Sequence, residues 1–367
     1  MEDKPQIVLH PQGLPRAPAQ VSSRSLEDGD AVVLSPSTII PGITGETCAI
    51  CQDILTDASA CTLPCAHVFH GACIAALQKY GVQQACPLCR VPLPPGPEKL
   101  NEEATLHFMV VDQLVERGYA SWNHLPGWAQ HELKKAISGW QAAAEGGSAS
   151  AQYNLAILSW EGRYMAKSNM GAARWCKKAA GQGLAEAQSF LGDMYLAGRG
   201  VVQSDVAAAQ WYKEAANLGI AEAQYNLGLM CETGQGVMQS DDEAAKWITK
   251  AAEQGFVEAQ RQLGVLFESG RGMAQSNAQA GWWYEKAANQ GNSEAQCRLG
   301  TLFGIGHGFV QNDLNAVSWY KKAAEEGYAQ AQTNLGHMFR VGRGVAQSDF
   351  EAARWYKMAA EQGNTVA

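Results

Sequence analysis

Residues 221–255 read AEAQYNLGLMCETGQGVMQSDDEAAKWITKAAEQG. Ala223, Leu227, Met230 and Cys231 fall at i, i+4, i+7 and i+8, one face of a first helix. Gly234 and Gly236 then stop that helix, as glycines do at helix C-termini. Ser240 and Asp241 offer caps for a second helix, which carries Ala244, Ala245, Trp247, Ile248, Ala251 and Ala252. Gly255 ends it. The stretch is a helix–turn–helix hairpin, and the small Gly228 lets its second helix approach closely.

The hairpin recurs at a fixed step of 36 residues. Ala-Gln starts at Ala151, Ala187, Ala223, Ala259, Ala295 and Ala331; tryptophan follows at Trp175, Trp211, Trp247, Trp283, Trp319 and Trp355. Leucine keeps the same step at Leu155, Leu191, Leu227, Leu263, Leu299 and Leu335. Gly228 has four glycine equivalents, and the fifth is Ala156. Six copies without an insertion predict a stacked array, because one hairpin cannot bury both of its faces. The tryptophans are expected in the packed core, each contributing roughly 1.5–3 kcal/mol or more.

The pattern A-x-A-Q-x-x-L-G, G-x-G-V, W-Y-x-K-A-A-x-x-G resembles the Sel-one-like repeats, relatives of the tetratricopeptide repeat. The six repeats are assigned to 148–367, with full copies over 148–363. The resemblance implies an α-superhelical scaffold for protein–protein contact rather than chemistry. The first copy departs from it: Tyr164 stands where later copies have glycine, and Cys176 replaces the usual tyrosine, so a distorted turn is expected there. Just before it, WQAAAEGG (140–147) reads as a degenerate second helix and an N-terminal cap. GNTVA (363–367) begins like another copy and stops, which leaves either a partner surface or the end of a fragment.

A chain of 367 residues is too long for one ordinary core. With 28 basic and 36 acidic residues and no basic run, nucleic acid is a poor partner. MEDKPQIVLHPQ lacks the features of a signal peptide, and no window nears the ~18 apolar residues of a membrane span. A cytoplasmic protein is expected, with the nucleus as a second setting. Residues 1–45 are expected to be disordered, 46–91 to form a finger, 92–100 a stiff proline-rich linker, and 101–147 capping helices. Those helices are expected over 101–117, with Asn101 as a cap, and over 126–145.

Seven of the ten cysteines lie between Cys48 and Cys89, among histidines. Clustering without a secretory signal favours metal over disulfides. The candidates are Cys48, Cys51, Cys61, Cys65, His67, His70, Cys73, Cys86 and Cys89. Two four-coordinate zinc ions need eight donors, so one candidate is spare. Without Cys61 the spacing is C-x2-C-x13-C-x-H-x2-H-x2-C-x12-C-x2-C, which resembles the RING finger in its two-histidine subtype.

That resemblance implies two structural zinc ions in a cross-brace. Cys48, Cys51, His70 and Cys73 would bind the first zinc; Cys65, His67, Cys86 and Cys89 would bind the second. Pairing of consecutive ligands, or Cys61 in place of Cys65, are the alternatives. The whole chain then reads as mainly α: a small two-zinc cross-brace RING finger followed by an α-α superhelical solenoid of 36-residue helix-turn-helix repeats.

The resemblance further implies a ubiquitin ligase without a catalytic residue of its own, whose partners are a ubiquitin-conjugating enzyme and ubiquitin. Ile50, Pro87 and Leu77 match the family's contact positions, though Leu77 stands where tryptophan is common. Arg90 matches the cation that bridges the conjugating enzyme and its ubiquitin. The repeats would hold a substrate or adaptor. A non-catalytic binding scaffold is the alternative. An enzyme with its own active site is disfavoured, because the repeats offer no nucleophile–base pair and no phosphate loop. Their G-x-G elements, such as GRG (198–200), read as turns.

Overall fold

The computed structural model describes residues 47–56, 59–80, 85–162 and 165–363. The expected disordered segment 1–45, the Tyr164 turn and the last four residues of GNTVA lie outside them. Two compact units are resolved. One runs from the finger to Leu191 and includes Arg199–Val202; the other comprises Gly192–Gly198 and the chain from Gln203 onward.

In the first unit, the finger pairs β1 (Ala60–Thr62) with β2 (Val68–His70) in an antiparallel hairpin, Cys61 opposite Phe69. Helix α1 (Gly71–Tyr80) follows directly. Leu55, Leu63, Phe69, Ile74 and Leu93 form a small core with the sulfur-bearing Cys48 and Cys86.

Helices α2 (Pro97–Glu116) and α3 (Gly127–Glu145) come next and pack on one another. The second starts where expected, but the first begins four residues before Asn101, with Gly96 as N-cap and Pro97 in the first turn. Proline's fixed φ and missing N–H suit that position, so the extended stretch ends at Gly96. Trp140, in the expected cap, is fully buried on α3.

Among the described residues the repeats supply twelve helices of equal length. The first unit holds α4 (Ala149–Glu161) and α5 (Asn169–Gly181), and α6 (Ala185–Ala197) follows. The second unit continues with α7 (Asp205–Asn217), α8 (Ala221–Thr233), α9 (Asp241–Glu253), α10 (Val257–Ser269) and α11 (Asn277–Asn289). It ends with α12 (Ser293–Ile305), α13 (Asp313–Glu325), α14 (Ala329–Val341) and α15 (Asp349–Glu361). The side chains of Ser168, Ser204, Ser240, Ser276, Asn312 and Ser348 cap the second helices, each accepting an amide of the first turn.

The tryptophan expectation needs correcting. Trp175, Trp211, Trp247, Trp283 and Trp319 are only half-buried, and Trp355 alone of the six is buried. The next residue takes the interior: Cys176, Tyr212, Ile248, Tyr284 and Tyr320 are all buried. A lysine three residues on covers the tryptophan face in several copies, with Lys250 Nζ 4.1 Å from the Trp247 ring centre and Lys322 Nζ 4.0 Å from that of Trp319.

The glycine in the first helix of the hairpin explains which residue goes inside. A Cβ on Gly264 would stand 2.4 Å from the Tyr284 ring, and one on Gly228 2.6 Å from Ile248. In the first copy, Ala156 and Cys176 are both fully buried. The smaller thiol frees the room that the extra methyl fills, so the two departures compensate one another. The turn glycines divide their work. Gly234 ends α8 in a left-handed conformation, φ 73°. A Cβ on Gly236 would lie 2.2 Å from the Asp205 carbonyl of the preceding copy.

The Ala-Gln dipeptide also has a structural role. The Gln224 amide donates to the Ala216 carbonyl at 3.0 Å, tying α8 to the C-terminus of α7, and its oxygen accepts from Gln254 at 2.7 Å. The same relay joins Gln260 to Ala252 and Gln290, and Gln332 to Ala324 and Gln362. It satisfies helix-end carbonyls that packing has cut off from water.

Candidate metal centre

The two Cys-x2-Cys pairs build one loop twice. Cys48 N–H donates to the Asp53 carbonyl at 2.9 Å and Gln52 N–H to the Cys48 carbonyl at 2.7 Å. Cys86 and Arg90 repeat this with Val91 and Cys86, at 2.7 and 2.8 Å. A single bridge closes each loop, Thr47 to Ile54 and Ala85 to Pro92. The residue after the second cysteine is left-handed in both, φ 65° at Gln52 and 62° at Arg90. Side chains uncommonly tolerate that conformation, and here it folds two sulfurs onto one side of the loop.

The hairpin and α1 supply the other donors. Cys65 and His67 flank Ala66, which is also left-handed at φ 65°. His70 closes β2, and Cys73 lies on the first turn of α1. The donor atoms gather into two groups, Cys48, Cys51, His70 and Cys73, and Cys65, His67, Cys86 and Cys89. Within each group they lie within 4.8 Å of one another. The grouping alternates along the chain, so neither group holds consecutive pairs.

This geometry fits zinc. Tetrahedral ligands at ~2.0–2.3 Å hold their donor atoms roughly 3.3–3.8 Å apart. His67 Nδ1 is 3.4 Å from Cys65 Sγ and 3.6 Å from Cys86 Sγ, inside that range, and Cys51 Sγ and His70 Nδ1 are slightly closer at 3.1 Å. His70 turns Nε2 to the Ile54 carbonyl at 3.2 Å, which leaves Nδ1 for the group. A second bond of this kind fixes ring direction at metal sites.

The electrostatics also favour a cation. Burial opposes the Cys48 thiolate, yet the His70, Cys51 and Ile50 amides and the Cys51 thiol bring its pKa down to about 6. Burial and the sulfurs of Cys51 and Cys48 push Cys73 up to about 11. In the other group burial opposes the Cys86 thiolate, but the Cys89 and Leu88 amides lower its pKa. The Val91 amide favours the Cys89 thiolate; burial and the Cys86 and Cys65 sulfurs outweigh it, and that pKa is raised. Several thiolates can share such a cluster only when a cation offsets their repulsion. Cys61 joins neither group; it sits on β1, and burial raises its pKa.

The other predicted residues sit on separate elements. Ile50 lies in the first loop, 38% exposed. Pro87 and Arg90 are exposed on the second, and Leu77 is half-buried against the finger core from α1. Loop equivalence adds Leu88, 56% exposed, which occupies in the second loop the place of Ile50 in the first. Superposing CAIC on CPLC in the sequence would have found it.

The comparisons bear on both regions. The Sel1 repeat family matches residues 149–184, 185–220, 221–256, 257–292, 293–328 and 329–364. The chain belongs to the Sel1 repeat family. Residues 46–90 match the ring finger domain family, so a RING finger precedes the Sel1 repeats. A zinc-binding module is thereby established at the level of the finger family.

A stretch of 75 residues is 33% identical to the E3 ubiquitin-protein ligase RDUF1 of Arabidopsis thaliana. It spans 20% of this chain and 18% of that ligase. Among solved structures, a protective antigen of uropathogenic Escherichia coli with an SLR fold is 36% identical, with a TM-score of 0.61, covering 63% of this chain and 49% of its own. A Sel1 repeat protein from Oxalobacter formigenes is 26% identical, with a TM-score of 0.57, covering 69% of this chain and 96% of its own. The fold is thus mainly α, a Sel1 repeat solenoid with a small finger before it. No described helix is long and apolar enough to cross a membrane.

Proposed function

We propose that this chain is a RING-type ubiquitin ligase whose finger holds two structural zinc ions. Cys48, Cys51, His70 and Cys73 would hold one, and Cys65, His67, Cys86 and Cys89 the other. The observation that carries this reading is the alternation of the two four-donor groups, which ties both loops and the hairpin into one unit. Four protein donors around each ion leave no open position, so the metal supplies shape rather than chemistry.

In this reading a ubiquitin-charged conjugating enzyme docks on Ile50, Leu77 and Pro87, and Leu88 extends that apolar surface. Arg90 contacts enzyme and ubiquitin together, its planar fork donating to several carbonyls. The thioester is held ready for attack by a substrate lysine, and the chain forms no covalent bond to ubiquitin. The Sel1 repeats hold the substrate or an adaptor. Work in a cytoplasmic or nuclear setting suits a site made of thiolates.

Incubation with activating enzyme, a panel of conjugating enzymes, ubiquitin and ATP tests the proposal. Chains should form with at least one conjugating enzyme. Ile50→Ala and Arg90→Ala should each reduce their rate about tenfold or more while both zinc ions stay bound. No chains across the panel would favour the non-catalytic scaffold. Chains that survive both substitutions would overturn the contact surface.

A further inference from the structure

A groove of about 540 Å³ opens on the fifth and sixth repeats, between α12–α13 and α14–α15. Gln330, Asn334, His337 and Arg340 line it from α14, with Tyr320 and Tyr356 also in its wall. No carboxylate among the described residues lines it, in a chain where acidic residues outnumber basic ones by 36 to 28.

The earlier copies do not have this character. Position 330 is glutamate in the four preceding repeats, as Glu186, Glu222, Glu258 and Glu294. Position 340 corresponds to Glu232 and Glu268 in repeats three and four. The last repeat therefore loses one carboxylate to Gln330 and reverses another to Arg340. Arg343 at the edge is already engaged, by Asp313 at 2.6 Å and the Gly304 carbonyl at 2.9 Å. Arg340 is exposed, donates to His337 Nδ1 at 3.3 Å, and meets no carboxylate among the described residues.

From these features we infer that the groove docks an acidic segment of a partner protein, with an Asp or Glu side chain on Arg340 and an adjoining large apolar residue against Tyr320 and Tyr356. The Gln330 and Asn334 amides, 3.2 Å apart, suit the partner's backbone. Opposite charge on Arg340 draws the segment to this groove, whereas in the earlier copies Glu232, Glu268 and Glu294 are paired with Arg271 and Arg298. The inference rests on the proposed partner-holding role of the repeats, and it names the partner's chemistry.

The test is selection of a phage-displayed random dodecapeptide library on the full chain, followed by fluorescence anisotropy of the enriched peptides. Enriched peptides should carry Asp or Glu beside a large apolar residue. Arg340→Glu should weaken them roughly tenfold or more, and Arg340→Gln less. A Glu→Lys change in the peptide should restore binding to Arg340→Glu. Failure to enrich any peptide, enrichment without acidic residues, or equal binding to Arg340→Glu would overturn the inference. Ubiquitin chain formation without substrate should be unchanged in Arg340→Glu, so failure of the ligase reading would be seen separately.

Discussion

The finger and the repeats both begin with elements too small to fold alone, and they find support in opposite ways. The finger buries a handful of apolar residues, and two of its core residues, Cys48 and Cys86, are among the proposed metal donors. The repeats lean on their neighbours: in the second unit one buried cluster runs from Leu196 to Leu266 across successive hairpins. Stability is therefore concentrated in a few donor atoms in one region and spread over similar interfaces in the other. The first can be removed at a stroke, whereas the second yields one joint at a time.

Chelation should expose this contrast most strongly. Stripping zinc should remove about 10–16 kcal/mol per site from the finger and unfold it, while helical circular dichroism persists. Native mass spectrometry should count two zinc ions before chelation, and also two in Cys61→Ser. Loss of the helical signal together with the metal would break the comparison.

A change at one repeat joint should cost less. Gly264→Ala drives a methyl into Tyr284 and should destabilise by about 1–3 kcal/mol in denaturant unfolding. Adding Tyr284→Cys copies the Ala156 and Cys176 pair, and the double variant should be more stable than the sum of the singles. Plain additivity would show that the glycine and the ring do not govern one another.

A buried acid gives a smaller, pH-dependent effect. Burial holds the Asp193 carboxyl well above the usual carboxylate range, although the Tyr212 hydroxyl donates to it at 2.6 Å, and the nearby Glu222 adds to the rise. An acid with a raised pKa favours the fold while protonated. Its contribution is complete below about pH 4, the ordinary value of an unfolded aspartate, and is lost as pH rises through the folded value. Between those two values each pH step of one costs about 1.4 kcal/mol. Asp193→Asn keeps an acceptor for Tyr212, so its melting temperature should fall less than the parent's between pH 4 and 8. Parallel profiles would show that Asp193 does not set the pH dependence.

The smallest effect should be a gain. Gln296 Oε1 is buried without a partner, and position 326, where its relay glutamine would stand, is a glutamate bonded to Ser293. Glu326→Gln should supply that donor and raise stability by about 0.5–1.5 kcal/mol in the same unfolding measurement.

The repeat step and the finger's donor spacing were plain in the sequence because both are periodic patterns of residue type. The placement of Trp247 against Ile248 was not. Adjacent residues on a helix differ by about 100° in direction, so side-chain size alone favoured the wrong one. Only the distance from Gly228 to Ile248 decides it. Pro97 was hidden among prolines that suggested an extended chain, although the same ring starts a helix well. The 36-residue step marked the glutamines, but the carbonyls they reach, eight residues earlier, show only in the structure. At the finger, residue types announced the donors, but the left-handed backbone at Gln52 and Arg90 carries no signal in non-glycine residues.

The glutamine relay has an evolutionary consequence. A whole 36-residue copy brings the glutamine that reaches the copy before it and the carbonyl that meets the copy after, although Leu218 in the second copy and Glu326 in the fifth replace the relay's second glutamine. Duplicating or deleting a complete copy would leave matching ends on both sides, whereas a partial insertion would leave a glutamine facing the wrong carbonyl. Such a chain can change length in whole steps during its history.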